Sequence, residues 1–330
     1  MSALNTKEIQ APSYTIASCI FCGARRNDNA AYKMSGYNLY SCRLCNTVSV
    51  GEMPTDDELK EYYIGFKFQL NKNCYYKIIN ENFKRWMKSC INSQKRTSYM
   101  LDVGGGGGFF AKAFEDFNLG RSTYIDIDPY ACDFAKNQMN LKFVICDSVE
   151  NIEKHTGNKK YDFIYCRHVV EHLKNPIDLI IKCAKLLTPM GTLIVQCPNG
   201  TSKEGIFYPD YWFKFLNRIK KENKWNLFYA LYFSLTKNYG WGIDPIRHLW
   251  AISSKGIYKY FEHNKKFNVK ISTASLADPV FSPYWVPSRK RHKIISLVSR
   301  YFYSKIFEGM HLIIEIKRND CSTINVNNNI

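Results

Sequence analysis

The chain has 330 residues, enough for one large domain or two ordinary ones. Apolar residues make up 45% and charged residues 23%, which supports a packed core and excludes global disorder. Lys and Arg number 46 against 29 Asp and Glu, a net charge of +17, and residues 201–330, with 21 basic and 9 acidic side chains, carry +12 of it, as a basic face meeting an anionic partner would.

The first 20 residues lack a charged segment followed by an apolar one, so no secretory signal is expected. The longest strongly apolar run, LFYALYFSL at 227–235, is about half of a bilayer span. Twelve cysteines in such a chain read as thiols or metal ligands and not as a disulfide framework. The expectation is a cytoplasmic protein, soluble or peripheral to the inner face of the membrane.

In chain order, residues 1–12 read as a loose tail. Residues 13–54 hold Cys19-x-x-Cys22 and Cys42-x-x-Cys45 among turn formers. Each pair makes a tight knuckle pointing two thiolates inward, and two knuckles complete a tetrahedral four-sulfur shell suited to zinc. Such a shell has no open position, so a structural zinc in a ribbon module is predicted. Cysteines 74, 90, 132, 146, 166, 183, 197 and 321 show no ligand spacing and read as mostly buried thiols. A helical linker follows over 55–97. Thr55-x-x-Glu58 is a capping box opening a helix through Leu59, Tyr62 and Tyr63, and a second helix is predicted over roughly 74–94 through Tyr76, Ile79, Phe83, Trp86 and Met87.

From residue 98 the pattern alternates strand and helix, which implies a parallel sheet. Strands are predicted at 98–103, 122–127, 141–145, 161–166, 191–197, 267–272 and 310–317, and helices near 108–118, 129–139 and 176–187. Segments 201–245 and 275–308, aromatic and basic, do not fit the alternation and are expected to cap the sheet. The Asn-rich 319–330 end reads as a frayed tail.

The most informative stretch is Tyr99-Met-Leu-Asp102-Val-Gly104-Gly-Gly106-Gly-Gly108-Phe-Phe: an apolar strand, five glycines, then a helix. Glycine lets the backbone turn sharply and lie against a ligand, and a helix start offers free N–H groups. The Gly-x-Gly-x-x-Gly spacing of nicotinamide-binding loops is missing, because the third residue after Gly106 is Phe109. The spacing is instead Asp-x-Gly-x-Gly-x-Gly.

That spacing resembles motif I of the class I S-adenosylmethionine-dependent methyltransferases, and the later motifs follow in order. Tyr124-Ile-Asp126-Ile-Asp128-Pro ends the second strand with an acid, Cys146-Asp147-Ser148 follows the third, and Tyr161-Asp-Phe-Ile-Tyr-Cys-Arg-His168-Val-Val-Glu171-His172-Leu resembles the fourth strand with its Glu-His-Leu signature. Leu186-Leu-Thr-Pro-Met-Gly191 resembles the turn into the fifth strand, with Met190 replacing a usual glycine. The resemblance is close over 98–200 and loose over 250–318. It implies S-adenosylmethionine as cofactor, held by Asp102, Gly104, Gly106, Gly108, Asp126 at the ribose and Asp147 near the adenine. Asp102 and Asp147 also read as a loop cap and a turn residue, and Asp128 before Pro129 reads as a helix cap only. The implied fold is a Rossmann-like, seven-stranded, doubly wound α/β sheet over 98–318, with an N-terminal zinc ribbon and a C-terminal aromatic and basic cap.

The Cys-rich module before this core resembles a methyltransferase subgroup with a zinc-binding N-terminal domain, many of whose members act on sugars. Some are C-methyltransferases with a further C-terminal domain, which 330 residues do not accommodate. The expected reaction is therefore O-methylation of a glycan, nucleotide sugar or lipid-linked saccharide. A sugar hydroxyl is a poor nucleophile, so a base is needed. His168, His248 and His172 are the candidates, in that order; the alternatives are a structural brace for Glu171-His172 and a satisfied core residue for a lone histidine. The aromatic and basic stretches 206–235 and 289–307 suit an anionic membrane surface or equally their own core, and nucleic acid is disfavoured because no dense basic run occurs. Rival readings are methylation of a prenylated quinone or of RNA, and a non-catalytic zinc-ribbon interaction protein.

Overall fold

The computed structural model describes residues 17–26, 29–64, 73, 75, 78–91, 98–262, 264, 266–282, 301 and 307–319. The predicted N-terminal tail, Tyr76, Cys74, Cys321, the basic run at 289–293, the helical face of Ile294, Leu297 and Val298, and all but the first residue of the 319–330 tail lie outside them.

The strand–helix alternation builds one seven-stranded sheet. Its parallel strands are β4 (Ser98–Val103), β5 (Gly120–Asp126), β6 (Val144–Cys146), β7 (Tyr161–Arg167) and β8 (Leu187–Pro198). Strands β10 (Phe267–Ala274) and β11 (His311–Arg318) complete it as antiparallel members, in the order β10-β11-β8-β7-β4-β5-β6. All of β7 except Arg167 is buried, which is why this strand reads as an unbroken apolar run. Helices α3 (Phe109–Asp116), α4 (Pro129–Asn137) and α6 (Pro176–Lys185) are the crossovers, and a short α5 (Ile152–Thr156) precedes β7. The chain leaves β4 toward β5 on one side and returns to β7 on the other, so the carboxyl ends of β4, β5 and β7 surround a topological switch point.

A second sheet holds β1 (Tyr32–Met34), β2 (Tyr37–Ser41) and β3 (Val48–Val50), all antiparallel, and its fourth strand comes from far along the chain. This is β9 (Trp250–Ala251), pairing Val48 with Ala251 and Ser49 with Trp250. The Trp250 ring packs edge-on against Phe21 at 5.7 Å, and its indole N–H donates to the Leu173 carbonyl at 2.8 Å. The Cys-rich module thus shares one continuous apolar core with the large sheet.

Helix α1 (Asp56–Tyr63) starts on the predicted capping box: Thr55 N–H donates to Glu58 Oε2 at 2.7 Å and Glu58 N–H to Thr55 Oγ1 at 3.2 Å. The helix predicted over 74–94 is interrupted. Asn80 breaks the pattern because its side chain accepts the Phe83 N–H at 2.9 Å and so caps a fresh helix, α2 (Glu81–Ser89).

Segment 201–245 folds into α7 (Pro209–Glu222) and α8 (Leu227–Thr236). These pack against β1: Phe233 meets Tyr32 at 5.2 Å, Lys33 N–H donates to Asn223 Oδ1 at 2.6 Å, and Asn223 Nδ2 donates back to the Lys33 carbonyl at 3.0 Å. Their outer faces leave Phe213, Phe228 and Tyr232 exposed, Phe228 at 84%. The connection from β10 to β11 is anchored by fully buried Glu204, whose carboxylate accepts the N–H groups of Leu276 at 3.1 Å and Met310 at 2.9 Å. Helix α9 (Ser254–Phe261) follows β9. Among the described residues no helix is long and apolar enough to cross a membrane.

Candidate active site

The glycine loop leaves β4 at the switch point. Gly104 takes φ +64°, and a Cβ there would lie 2.4 Å from the Val169 side chain, so only glycine fits. Gly106 takes φ +53° but faces open space, with nothing within 4 Å of where a Cβ would stand. Its N–H donates to Asp126 Oδ2 at 2.8 Å, while the other oxygen of Asp126 accepts the Asp128 N–H at 3.0 Å. The Tyr124 hydroxyl closes the loop from below by donating to the Gly106 carbonyl at 2.6 Å. Gly108, at φ +72°, is the residue from which α3 starts.

Asp102 is 2% exposed and accepts the Ala111 N–H at 3.1 Å, inside the first turn of α3. Burial pushes its carboxyl up to about 7, opposed by that hydrogen bond and reinforced by neighbouring Asp126. Burial also raises the Asp126 carboxyl, against three backbone N–H groups that favour its charge. Asp128 caps α4 through the Tyr130 N–H at 3.0 Å, the role its sequence position suggested. Asp147 follows β6 at the same sheet edge. Its oxygens meet His155 Nε2 at 2.6 Å and Asn151 Nδ2 at 3.0 Å, and the hydrogen bond to His155 holds its carboxyl down at about 2.

The three candidate histidines gather around one carboxylate. His168 follows β7 at φ +53°, a strained conformation for a residue with a Cβ. That turn sets its Nδ1 3.0 Å from Glu171 Oε1. Glu171 is fully buried and its second oxygen, Oε2, has no hydrogen-bond partner among the described residues. His172 Nδ1 donates to the Arg247 carbonyl and lies 2.7 Å from the Tyr63 hydroxyl. His248 Nδ1 donates to the Gly242 carbonyl. The rings of His172 and His248 are 4.8 Å apart, and one donor atom each of Glu171, His172 and His248 lies within 4.8 Å of the others. Burial lowers all three imidazoles, His172 to about 4 and His168 well below its usual range, which favours their neutral forms. With Nδ1 tied to an acceptor, each keeps a lone pair on Nε2.

Sequence reasoning did not single out Tyr63, Arg167 or His311 here. Arg167 ends β7, its guanidinium 5.5 Å above the Phe110 ring and 3.3 Å from the Phe281 carbonyl. His311 stands 5.6 Å from His168, ring to ring, at the start of β11. Tyr63 arrives from α1, and the only sequence signal was its place on an amphipathic helix. The pairing across more than a hundred residues was invisible to local pattern.

The four cysteines converge. Cys19 and Cys45 sulfurs are 3.6 Å apart, Cys22 and Cys42 sulfurs 3.5 Å, and all four lie within 4.8 Å of one another. Each knuckle is closed by backbone bonds, Gly23 N–H to the Cys19 carbonyl at 2.8 Å and Asn46 N–H to the Cys42 carbonyl at 2.8 Å, with Gly23 and Asn46 in the left-handed region. Four sulfur donors gathered this closely suit zinc. Of the remaining described cysteines, 132, 166, 183 and 197 are buried as expected, while Cys146 is exposed on β6.

Residues 75–264 match a family model described as a methyltransferase domain. Two ubiquinone biosynthesis O-methyltransferases are similar in part. That of Coxiella burnetii strain RSA 493 is 30% identical over 114 residues, 33% of this chain and 47% of the relative. That of Xanthomonas campestris pathovar campestris strain B100 is 30% identical over 105 residues, 31% of this chain and 44% of the relative. The chain thus spans less than half the length of these curated relatives. A solved SAM-dependent methyltransferase from Archaeoglobus fulgidus aligns with a TM-score of 0.45 at 16% identity, covering 72% of this chain and 91% of that one.

Proposed function

This chain belongs to the methyltransferase-domain family, and on that premise we propose that it transfers the methyl group of S-adenosylmethionine to an acceptor hydroxyl. The observation that carries the proposal is the hydrogen bond from the Gly106 N–H to the Asp126 carboxylate at the switch point, with open space where a Gly106 Cβ would stand. An open cradle next to a carboxylate fits a ribose and its sulfonium-bearing arm, and the Asp126 oxygens, which take the Gly106 and Asp128 N–H groups, keep lone-pair capacity for a ribose hydroxyl. In this reading Asp102 holds the loop against α3, Gly104, Gly106 and Gly108 shape it, and Asp147 lies toward the adenine. When bound, the cofactor supplies an electrophilic methyl group. His168 Nε2 takes the proton of the acceptor hydroxyl, and Glu171, at 3.0 Å from Nδ1, fixes the tautomer and stabilises the imidazolium. The four cysteines hold a structural zinc.

For the acceptor, a saccharide hydroxyl is the first reading. It is supported by the exposed rings of Tyr211, Phe213, Phe228 and Tyr232 on helices that also carry Lys214, Lys220 and Lys221, a surface suited to stacking sugars and pairing phosphates. The phenolic hydroxyl of a prenylated quinone precursor is the second, supported by the names of the partial relatives. The basic stretch at 289–293 is the proposed contact for an anionic lipid surface. Incubation with methyl-labelled cofactor and separate panels of lipid-linked saccharides, nucleotide sugars and polyprenylated phenols tests these readings. Label in the saccharides supports the first, and label only in the phenols replaces it. Tight cofactor binding with label in neither panel would favour the interaction-protein alternative.

A further inference from the structure

We infer that Glu171, His172 and His248 form a second metal site, separate from the four-thiol cluster, for a divalent cation of the class that accepts imidazole nitrogen and carboxylate oxygen, such as manganese, iron, cobalt or zinc. One donor atom of each residue lies within 4.8 Å of the others. Two independent features leave donor atoms of these residues available to an ion.

The first is Glu171. It is fully buried, and its Oε2 has no hydrogen-bond partner among the described residues. A buried carboxylate oxygen with nothing to accept is costly, and natural cores avoid it unless an ion or water completes the site. Oε1 is already committed to His168 Nδ1 at 3.0 Å, so Oε2 is the oxygen available to a cation.

The second is the tautomer of the two histidines. A backbone carbonyl only accepts, so the bond from His248 Nδ1 to the Gly242 carbonyl places a proton on that nitrogen, and His172 Nδ1 does the same toward the Arg247 carbonyl, with the Tyr63 hydroxyl, 2.7 Å from Nδ1, spending its own proton on that carbonyl at 2.6 Å. Each Nε2 is then a bare lone pair. A ring N–H held by a carbonyl with the opposite nitrogen free is the arrangement that orients metal-binding histidines. The frame is stiff: Leu249 N–H donates to the Glu171 carbonyl at 2.8 Å and His248 N–H to the Asp244 carbonyl at 2.6 Å, stitching both ligand-bearing segments together.

Arg247 lies close enough to disfavour positive charge at His172, which lowers the affinity expected of the site. Two imidazoles and one carboxylate leave open positions on an ion, which water or an acceptor oxygen fills. Because Glu171 also holds His168, occupancy would be felt at the candidate base. The inference does not rest on the methyl-transfer reading, since neither cofactor nor acceptor enters its test.

The full chain, purified with its thiol-bound zinc, is titrated with manganese(II) alone, and free ion is read from its solution paramagnetic resonance spectrum. One manganese per chain is expected to bind. His248→Gln and His172→Gln should each weaken binding by more than about tenfold, as loss of a metal-site partner does, while circular dichroism stays unchanged. Glu171→Gln should do the same, and the two histidine variants carry the test if that buried change unfolds the chain. Asp147→Asn should bind as wild type does. The inference is overturned if the wild type binds no manganese, cobalt or zinc beyond the thiol site, if the histidine variants bind equally well, or if the added ion is released only by a thiol-blocking reagent.

Discussion

The backbone N–H of Gly106 donates to Oδ2 of Asp126 across 2.8 Å, joining the loop after β4 to the end of β5. The glycine loop and the second acid are therefore one unit, and changing either alters the shape of the other. Asp126→Ala should weaken S-adenosylmethionine binding by about 1.5–3 kcal/mol, the range for hydrogen bonds to a charged group. Gly106→Ala meets no neighbour but places a methyl in the open cradle at φ +53°. It should cost about 1 kcal/mol of stability and a larger loss of cofactor affinity. Calorimetry on both folded variants checks this. Unchanged affinity in Asp126→Ala would remove the ribose assignment, and NADH binding as tight as cofactor binding would remove the methyltransferase reading.

If the four thiols hold zinc as proposed, titrating them with a mercurial should release one ion per four cysteines. Because Trp250 and Phe21 tie the ribbon to the main core, Cys42→Ser should do more than loosen a detachable module. It should lose that zinc and lower the melting temperature in a single transition that includes the large sheet. Differential scanning calorimetry showing two separate transitions, with the main one unmoved, would contradict the shared core.

Asp102 makes stability depend on pH in a definite direction. Its folded carboxyl is raised by burial from 3.8 to about 7. Between those values the unfolded chain has lost a proton that the folded chain keeps, so this group's contribution falls as pH rises from about 4 to about 7, then levels off. Asp102→Asn removes the titration while keeping an acceptor for the Ala111 N–H. Relative to wild type it should gain stability across that window, on the order of 2–4 kcal/mol at one unit per 1.36 kcal/mol. Urea unfolding at pH 4.5 and 7.5 measures the difference, and parallel stabilities at both would refute it.

Glu204 is the buried anchor for the return from β10 to β11. Glu204→Ala leaves the Leu276 and Met310 N–H groups without their acceptor, at about 1–3 kcal/mol each. Glu204→Gln keeps an acceptor oxygen and should cost less. Equal destabilisation of the two variants in urea would show that the hydrogen bonds are not what matters.

His168→Gln should lower turnover by about 10²–10⁴-fold, the range for a general base, with cofactor affinity unchanged. An intact rate at saturating acceptor would assign His168 to structure alone.

Local pattern determined a large part of this protein. The predicted core strands meet observed ones because buried parallel strands are continuous apolar runs, readable residue by residue. The predicted strand at 141–145 is found slightly later, at Val144–Cys146, since Leu141 is buried through packing under the glycine loop and not through sheet pairing. The Cys knuckles and the Thr55 cap were legible for the same reason: each is closed by bonds between residues few positions apart. Long-range contacts decided the rest. That Trp250 completes the ribbon sheet, that α7 and α8 rest on β1, and that Tyr63, Glu171, His172 and His248 meet at one point depend on pairings across more than seventy residues. No periodicity encodes those pairings. They are set when apolar faces too far apart in sequence to signal each other find a common core, and the buried carboxylate of Glu171 is left where several chain segments cross.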